Sequence, residues 1–253
     1  MLKISVITAS YNNCGTIQQT LDSVLSQTYP IVEYIVIDGG STDGTLKILD
    51  LYKSKLDVYI SEPDGGIYDA LNKGILHSTG DIVGFLHADD LFESDDVLDK
   101  IANVFNVSKV EAVYGDLVYV RKNDTSKIVR YWKSCEFNEI FLHKGWMPPH
   151  PTLYIRRSVY KRLGTFDTSY LIAADYDLVL RFFGKGKLFS SHIPEVLVRM
   201  RHGGISNKSV KTIIKKSLED LSILRRNQIG GILTLISKNL LKLAQLIPGQ
   251  TKK

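Results

Sequence analysis

The chain has 253 residues, 44% of them hydrophobic and 23% charged, which is enough to bury a substantial core and is ordinary for a globular protein in water. Its two cysteines, Cys14 and Cys135, exclude a disulfide framework and fit a reducing compartment. The net charge of +5 is uneven: from Ser206 onward ten Lys and Arg face two acids, which is +8 and leaves −3 for the first 205 residues. The basic character therefore belongs to a tail and is no argument for nucleic-acid binding, and no stretch interleaves aromatic with basic residues as a single-strand platform does. The opening "MLKISVITASYN" lacks the apolar run and cleavage site of a signal peptide, so a cytoplasmic location is expected. No window approaches the roughly 18 apolar residues of a spanning helix.

The first hundred residues alternate between strands and helices. "ISVITAS" (4–10) reads as a strand, and "GTIQQTLDSVLSQ" (15–27) as a helix with apolar residues at 17, 21, 24 and 25. "EYIVIDGG" (33–40) is a second strand, followed by a helix through "TLKILDLYKS" with Asp43 or Ser41 as its N-cap. "LDVYISE" (56–62) is a third strand, "GIYDALNKGILHST" (66–79) a helix, and "DIVGFLHADD" (81–90) a fourth strand. Such alternation builds right-handed βαβ units and a parallel sheet, whose ligands sit beyond the carboxyl ends of the strands. Ala9, Ser10 and Tyr11, then Asp38, then Asp64, then His87, Asp89 and Asp90 all fall on that rim.

The second half is less regular. "SDDVLDKIANVF" (94–105) reads as a helix with Ser94 as N-cap. "VEAVYGDLVYV" and "KIVRYWK" read as antiparallel strands about the turn "RKNDTSK". "MPPHPTLYIRRSVYKRLGTFD" starts as a rigid loop and becomes a strand and then a helix, and "AADYDLVLRFFGKG" opens a helix with acids in its first turn. No internal repeat or low-complexity linker interrupts the chain. The expected division is a domain over 1–205, with halves 1–100 and 101–205, and a helical extension over 206–253.

Six segments, "SVITASYN", "VIDGGSTDGT", "SEPDGGIYDALNKG", "FLHADD", "HPTLYIRRSVY" and "AADYDLVLR", resemble in order those of family 2 glycosyltransferases that build bacterial surface polysaccharide and lipopolysaccharide. The resemblance covers roughly residues 3–205. It implies an α/β GT-A fold with a mainly parallel central sheet flanked by helices. It also implies a nucleotide-sugar donor, with a UDP-sugar as the leading choice, Mn2+ or Mg2+ as cofactor, inversion at the anomeric carbon, and a saccharide or lipid-linked saccharide acceptor.

Two chemical needs then assign the residues. The leaving diphosphate needs its charge neutralised, which a hard cation on carboxylates does, and Asp89 and Asp90 supply these at a strand end. A helix N-cap is the plainer reading of that pair. The family pattern is Asp-x-Asp, but here His87 takes the first place, so His87, Ala88 and Asp89 are expected against the donor; the alternative for His87 is a histidine merely bonded at a strand end. By resemblance Asp38 meets the nucleobase or ribose, Tyr11 stacks on the base near the backbone of Ala9 and Ser10, and Asp64 lines the same site. For Tyr11 the alternative is a core aromatic. The acceptor hydroxyl must lose a proton, and Asp175 aligns with the acid of the family's Glu-Asp segment, whose first place is Ala174 here; Asp175 is the expected general base, with a helix cap as the structural alternative. His150 is expected on the acceptor side and His202 as a further metal or charge contact, each equally readable as a structural or surface histidine.

In the tail, Ile229, Ile232, Leu233, Ile236, Leu240, Leu243 and Ile247 share one helical face, and Lys238, Lys242 and Gln245 lie on another. An amphipathic cationic helix of this kind rests on an anionic leaflet, which would put 206–247 at the inner face of the cytoplasmic membrane. Packing on the catalytic domain or on a second subunit in a homodimer is the alternative. Two rival functions remain open. A sugar nucleotidyltransferase needs a Gly-rich, Arg/Lys-bearing loop after the first strand, which "TASYNNCGT" lacks. A receiver-like Mg2+-binding module would be far shorter and would have no counterpart of Asp175.

Overall fold

A computed structural model describes residues 1–203 and 210–244 of the chain. Strands and helices alternate at first as β1 (Ile4–Ser10), α1 (Ile17–Leu25), β2 (Val32–Asp38), α2 (Thr45–Tyr52), β3 (Val58–Ser61), α3 (Ile67–His77) and β4 (Ile82–Phe85). These strands pair in the order β3-β2-β1-β4, all parallel, with Ile4 level with both Val32 and Ile82. Every residue of β1 is buried, as expected of a parallel strand covered on both faces. Ile7, Ile35, Ile37, Val83 and Phe85 face one core, while Ile4, Val6, Tyr34, Val36 and Ile82 face the other, which is the period-two alternation of a strand. Each such buried aliphatic side chain contributes about 1.5–3 kcal/mol relative to exposure, so two apolar layers fix the register.

Two helix starts differ from expectation. The N-cap of α2 is Gly44, at φ 101°, and not Asp43 or Ser41. The Asp43 carboxylate instead accepts from the backbone N–H groups of Thr45 and Cys14, each at 3.0 Å. The second corrected start is that of α4 (Val97–Val107), which Asp96 precedes in place of Ser94.

Past β4 come β5 (Leu91–Phe92), α4, β6 (Ala112–Arg121), β7 (Asp124–Trp132), α5 (Ile140–His143), β8 (Tyr154–Arg156), α6 (Arg157–Leu163), α7 (Ala174–Val179) and β9 (Ser190–Arg201). The sheet continues from β4 as β8-β6-β9-β5, with β7 hydrogen-bonded to β6. It is parallel through the first half and mixed beyond, because β8 runs antiparallel to both β4 and β6 while β9 runs parallel to β6. One sheet thus joins the two expected halves. Where β8 crosses β4, a Cβ on Gly84 would stand 2.1 Å from the Tyr154 ring, so only glycine fits there. The long strand β9 has no counterpart in the sequence reading. Its pairing with β6 slips between Gly115 and Leu117, and the slip accommodates Pro194 and Glu195 in a run that otherwise pairs regularly.

The extension forms α8 (Val210–Arg226) and α9 (Ile232–Ala244). Ile232, Leu233, Ile236 and Leu240 are exposed, with Leu233 at 83%. Ile229 and Lys238 depart from the expected faces, since both are buried. Lys238 Nζ lies 2.8 Å from Asp220 Oδ1 and 3.0 Å from the centroid of the Tyr176 ring. Helical spacing says which residues share a face but not which face turns inward, and here the polar one does. Gln245 and Ile247 lie outside the described residues, as do the side chains of Lys242 and Leu243. No described helix is long and apolar enough to cross a membrane.

Candidate active site

The carboxyl ends of β1, β2 and β4 open on one rim, which gathers most of the expected residues. Just beyond β1, Tyr11 is 61% exposed, so its ring is available to a ligand and is not part of the core. The following loop is tied to the one after β2. The Asn12 N–H donates to Ser41 Oγ at 2.8 Å, the Thr42 N–H donates to Asn12 Oδ1 at 2.8 Å, and the Asn13 N–H donates to Thr45 Oγ1 at 2.9 Å. Ala9 and Ser10 are buried beneath this bridge.

Asp38 ends β2 with its side chain fully buried. Its carboxylate accepts from the N–H groups of Gly40 and Ser41 and from the hydroxyls of Ser41 and Ser61, at 2.5–3.0 Å. Four donors fill the lone-pair sites of one carboxylate, so this side chain holds the loop 39–41 in its shape. Asp64 packs on the same loop: a Cβ on Gly39 would fall 2.5 Å from Asp64 Oδ2, and Oδ1 accepts from the Gly66 N–H at 2.8 Å. Lys73, by contrast, pairs with Glu62 at 2.7 Å and Asp69 at 3.4 Å on the outside of α3.

The expected fourth strand ends at Phe85, and His87–Asp90 form a turn in which the Asp90 N–H donates to the His87 carbonyl at 2.9 Å. Three side chains fix this turn by its carbonyls. Thr16 donates to Ala88 O at 3.0 Å, Thr20 to Asp90 O at 2.9 Å, and the Arg201 guanidinium to Asp89 O. Asp89 is half-buried at the cleft, whereas Asp90 is fully buried. Asp90 Oδ1 accepts from the Arg201 N–H at 3.2 Å, and Oδ2 has no partner among the described residues. Burial and the neighbouring Asp89 push the Asp90 carboxyl well above the usual range, against the pull of Arg201. Arg201 was not foreseen, because it terminates the unforeseen strand β9.

His87 and His150 lie side by side, with ring centroids 5.9 Å apart, and His150 stacks on Phe85 at 5.3 Å. Burial lowers both imidazoles, His150 to about 4, while Asp175 pulls each of them upward and Asp89 does the same for His87. Nδ1 of His87 and both ring nitrogens of His150 have no partner among the described residues. Asp175 lies within electrostatic reach of both rings, and Asp89 within reach of His87.

Asp175 is half-buried in the first turn of α7, with Oδ1 accepting from the Tyr176 N–H at 2.8 Å. The Tyr68 hydroxyl lies 3.3 Å from that same oxygen and donates to the Ile172 carbonyl at 2.8 Å. Burial, with Asp175 beside it, holds the Tyr68 phenol well above its ordinary value, so it remains a donor. Asp177 binds Arg181 Nε at 2.7 Å and Asn227 Nδ2 at 3.1 Å, a structural role. Glu219 of α8 reaches in from the extension. Its carboxylate accepts from the N–H groups of Leu171, Ile172 and Ala173 at 2.9–3.2 Å, and α7 has no side-chain cap of its own. Tyr68 and Glu219 act across 107 and 44 positions from Asp175, so no local signal in the sequence points to them.

His202 is exposed, with its ring edge-on to Tyr119 at 6.5 Å, and it follows Arg201, which bonds Asp89 and Asp90. Among the described residues no three His, Cys, Asp or Glu side chains come together as a metal cluster, so Asp89, Asp90 and His202 do not form a cage by themselves. The donor set still suits a hard cation. Asp89 presents a half-buried carboxylate, the unpartnered Asp90 Oδ2 lies buried beside it as a further oxygen, and Mg2+ or Mn2+ would take its remaining ligands from diphosphate oxygens.

Comparison with known proteins agrees with this fold. Residues 5–168 match the family model for glycosyl transferase family 2. An uncharacterized glycosyltransferase of Mycobacterium tuberculosis is 34% identical over 180 residues, 70% of this chain and 68% of the relative. A PGL/p-HBAD biosynthesis glycosyltransferase of Mycobacterium bovis is 28% identical over 239 residues, 92% of this chain and 90% of the relative. Among solved structures, residues 1–349 of S. aureus TarS in complex with UDP-GlcNAc superpose with a TM-score of 0.72 at 20% identity, covering 90% of this chain and 66% of that one. A mannosyltransferase from Pyrobaculum calidifontis in complex with GDP-Man and Mn2+ gives 0.66 at 21% identity, covering 96% and 71%. Against the longer TarS chain, this protein spans 43% of the length. With that fold, that rim of side chains and a family match over most of its length, the chain belongs to glycosyl transferase family 2 and has the GT-A fold of nucleotide-sugar-dependent transferases.

Proposed function

We propose that the protein is a metal-dependent, inverting transferase that moves a sugar from a UDP-sugar to a hydroxyl of a saccharide or lipid-linked saccharide in cell-surface polysaccharide synthesis. The observation that carries this reading is the pair of buried imidazoles, His87 and His150, with ring centroids 5.9 Å apart and within electrostatic reach of Asp175, and for His87 of Asp89 as well. The Tyr11 ring stacks on the nucleobase, and the loops carrying Asp38 and Asp64 hold the ribose side of the donor. TarS with UDP-GlcNAc supports uridine, and the mannosyltransferase with GDP-Man leaves guanosine as the competing donor.

Asp89, backed by Asp90, would hold Mn2+ or Mg2+, which neutralises charge on the departing diphosphate. The chain's own residues do the rest. Asp175 Oδ1 is engaged by Tyr176 and Tyr68, which leaves Oδ2 for the acceptor proton. The acceptor oxygen attacks the anomeric carbon as the bond to the diphosphate oxygen breaks, the electron pair leaves with the nucleoside diphosphate, and the proton passes to Asp175. A single in-line displacement inverts the centre. His150, held neutral at physiological pH, lines the acceptor side as a hydrogen-bonding group without charge.

Incubation with a panel of UDP- and GDP-sugars and Mn2+ should release nucleoside diphosphate slowly from at least one donor. That release should stop on chelation and in Asp89→Asn. Absence of release from every donor, or release indifferent to the metal, would overturn the reading.

A further inference from the structure

We infer that the outward face of α8 and α9 is a docking surface for an anionic lipid bilayer. In a helix that merely completes a fold, the apolar stripe packs inward and the charged residues face water. Here α9 is inverted. Its inward face carries Thr234, the partly buried Leu235 and the buried Lys238, which is paired with Asp220 and lies over Tyr176. Its outward face carries Ile232, Leu233, Ile236, Leu240 and Leu241, all exposed. On α8, Ile213, Ile214 and Leu218 are exposed as well. Leaving this much aliphatic surface in water forgoes its burial, so its natural environment is an apolar one.

Charge selects the partner. The extension has two acids in its described part, and both face the protein. Glu219 caps the backbone before α7, and Asp220 binds Lys216 and Lys238. Between Lys211 and Leu241 the exposed residues therefore include Lys211, Lys215, Arg225 and Arg226 and no acid, with Arg226 reaching Asp167 of the main domain. A second copy of the chain would set this face against itself, cation against cation, which is unfavourable at a two-fold interface. An anionic leaflet accepts both features, since aliphatic side chains sink into the acyl boundary while Lys and Arg meet the headgroups. The helices lie on such a surface and do not cross it, since no described helix is long and apolar enough to span.

The surface does not depend on which sugar is transferred, so it is tested without an activity assay. The full chain is sedimented with phosphatidylcholine vesicles, with and without phosphatidylglycerol. It should bind the anionic vesicles, and added salt should weaken binding. Lys211→Glu with Lys215→Glu should reduce partitioning by roughly 20-fold or more, at about fivefold for each lysine lost. Leu233→Asp with Ile236→Asp should reduce it at least about tenfold while leaving the melting temperature unchanged, because both positions are exposed. Equal binding to neutral and anionic vesicles, or variants that bind like the parent, would overturn the inference. So would a stable dimer that Leu233→Asp dissociates in a chain that ignores vesicles.

Discussion

Asp175 is held by one oxygen, between the Tyr176 peptide N–H and the Tyr68 hydroxyl, and that restraint separates the two roles its sequence position allows. A helix cap would bond the backbone two or three residues on, whereas this carboxylate bonds the next residue and acts electrostatically on His87 and His150. Asp175→Asn keeps the shape and the hydrogen bond but not the basicity. Transfer should fall by about 10²–10⁴-fold with nucleotide binding nearly unchanged, as read by steady-state rates beside calorimetric titration with UDP and Mn2+. Transfer at the parent rate would remove Asp175 from the base role. The places of Tyr11 just past a strand and of Asp175 in the first turn of a helix were legible from periodicity, whereas the role expected of Asp175 came from the resemblance to the family's Glu-Asp segment. Arg201 was not legible, since it lies 112 positions from Asp89 and only the fold brings them together.

Among the elements, α8 stands out because it is both part of the extension and a support for the backbone that leads into α7 and Asp175. Glu219 supplies the three N–H groups before α7 with the acceptors they would otherwise lack, and so sets where the first turn of α7, with Asp175, begins. Glu219→Gln removes the charge and one acceptor oxygen. The expected result is a kcat lowered about ten- to a hundredfold with the donor KM within about twofold, since a base displaced by a fraction of an ångström loses rate before it loses substrate. A parallel loss of thermal stability without the kcat–KM split would mark Glu219 as purely structural. The βα units up to β4 were readable because apolar periodicity of 2 and of 3.6 alternates cleanly. β9 was not, because Pro194 and Glu195 break its pattern and are accommodated by slipped pairing with β6. In α9 periodicity located the helix and its apolar stripe but left open whether that stripe meets a leaflet or the protein, and it misplaced Ile229 and Lys238, which are both buried.

Taken as a whole, the molecule is fastened at the end of the sheet opposite the active site. Glu33 of β2 accepts from Lys3 Nζ and the Ser5 hydroxyl at 2.8 and 2.6 Å and from the Thr79 N–H at 2.8 Å, linking the starts of β1, β2 and β4. Burial alone would raise its carboxyl, but the hydrogen bonds from Lys3, Ser5 and Thr79 outweigh that and bring it down to about 2 from an ordinary 4.5. A carboxyl depressed in the folded state adds stability in full above its unfolded value, and that stability is lost as the pH falls from about 4.5 towards 2. Denaturant unfolding should therefore weaken across that window by on the order of 3 kcal/mol from this group. Glu33→Gln should be destabilised at pH 7 and show a flatter acid limb, and an unchanged acid limb would show that the network contributes nothing.

The joint between β4 and β8 has one more consequence. Ile82 lies opposite Arg156 and Val83 opposite Ile155, so the layers of the first half are zipped to the second by backbone hydrogen bonds and not by a linker. Severing the chain after the fourth strand would strip that strand of its neighbour and leave a bare, aliphatic ladder of amides open to any similar ladder. Shuffling this protein's front portion onto another transferase's rear would then succeed only if the incoming piece brings its own complementary strand; without one, the expected product is insoluble aggregate.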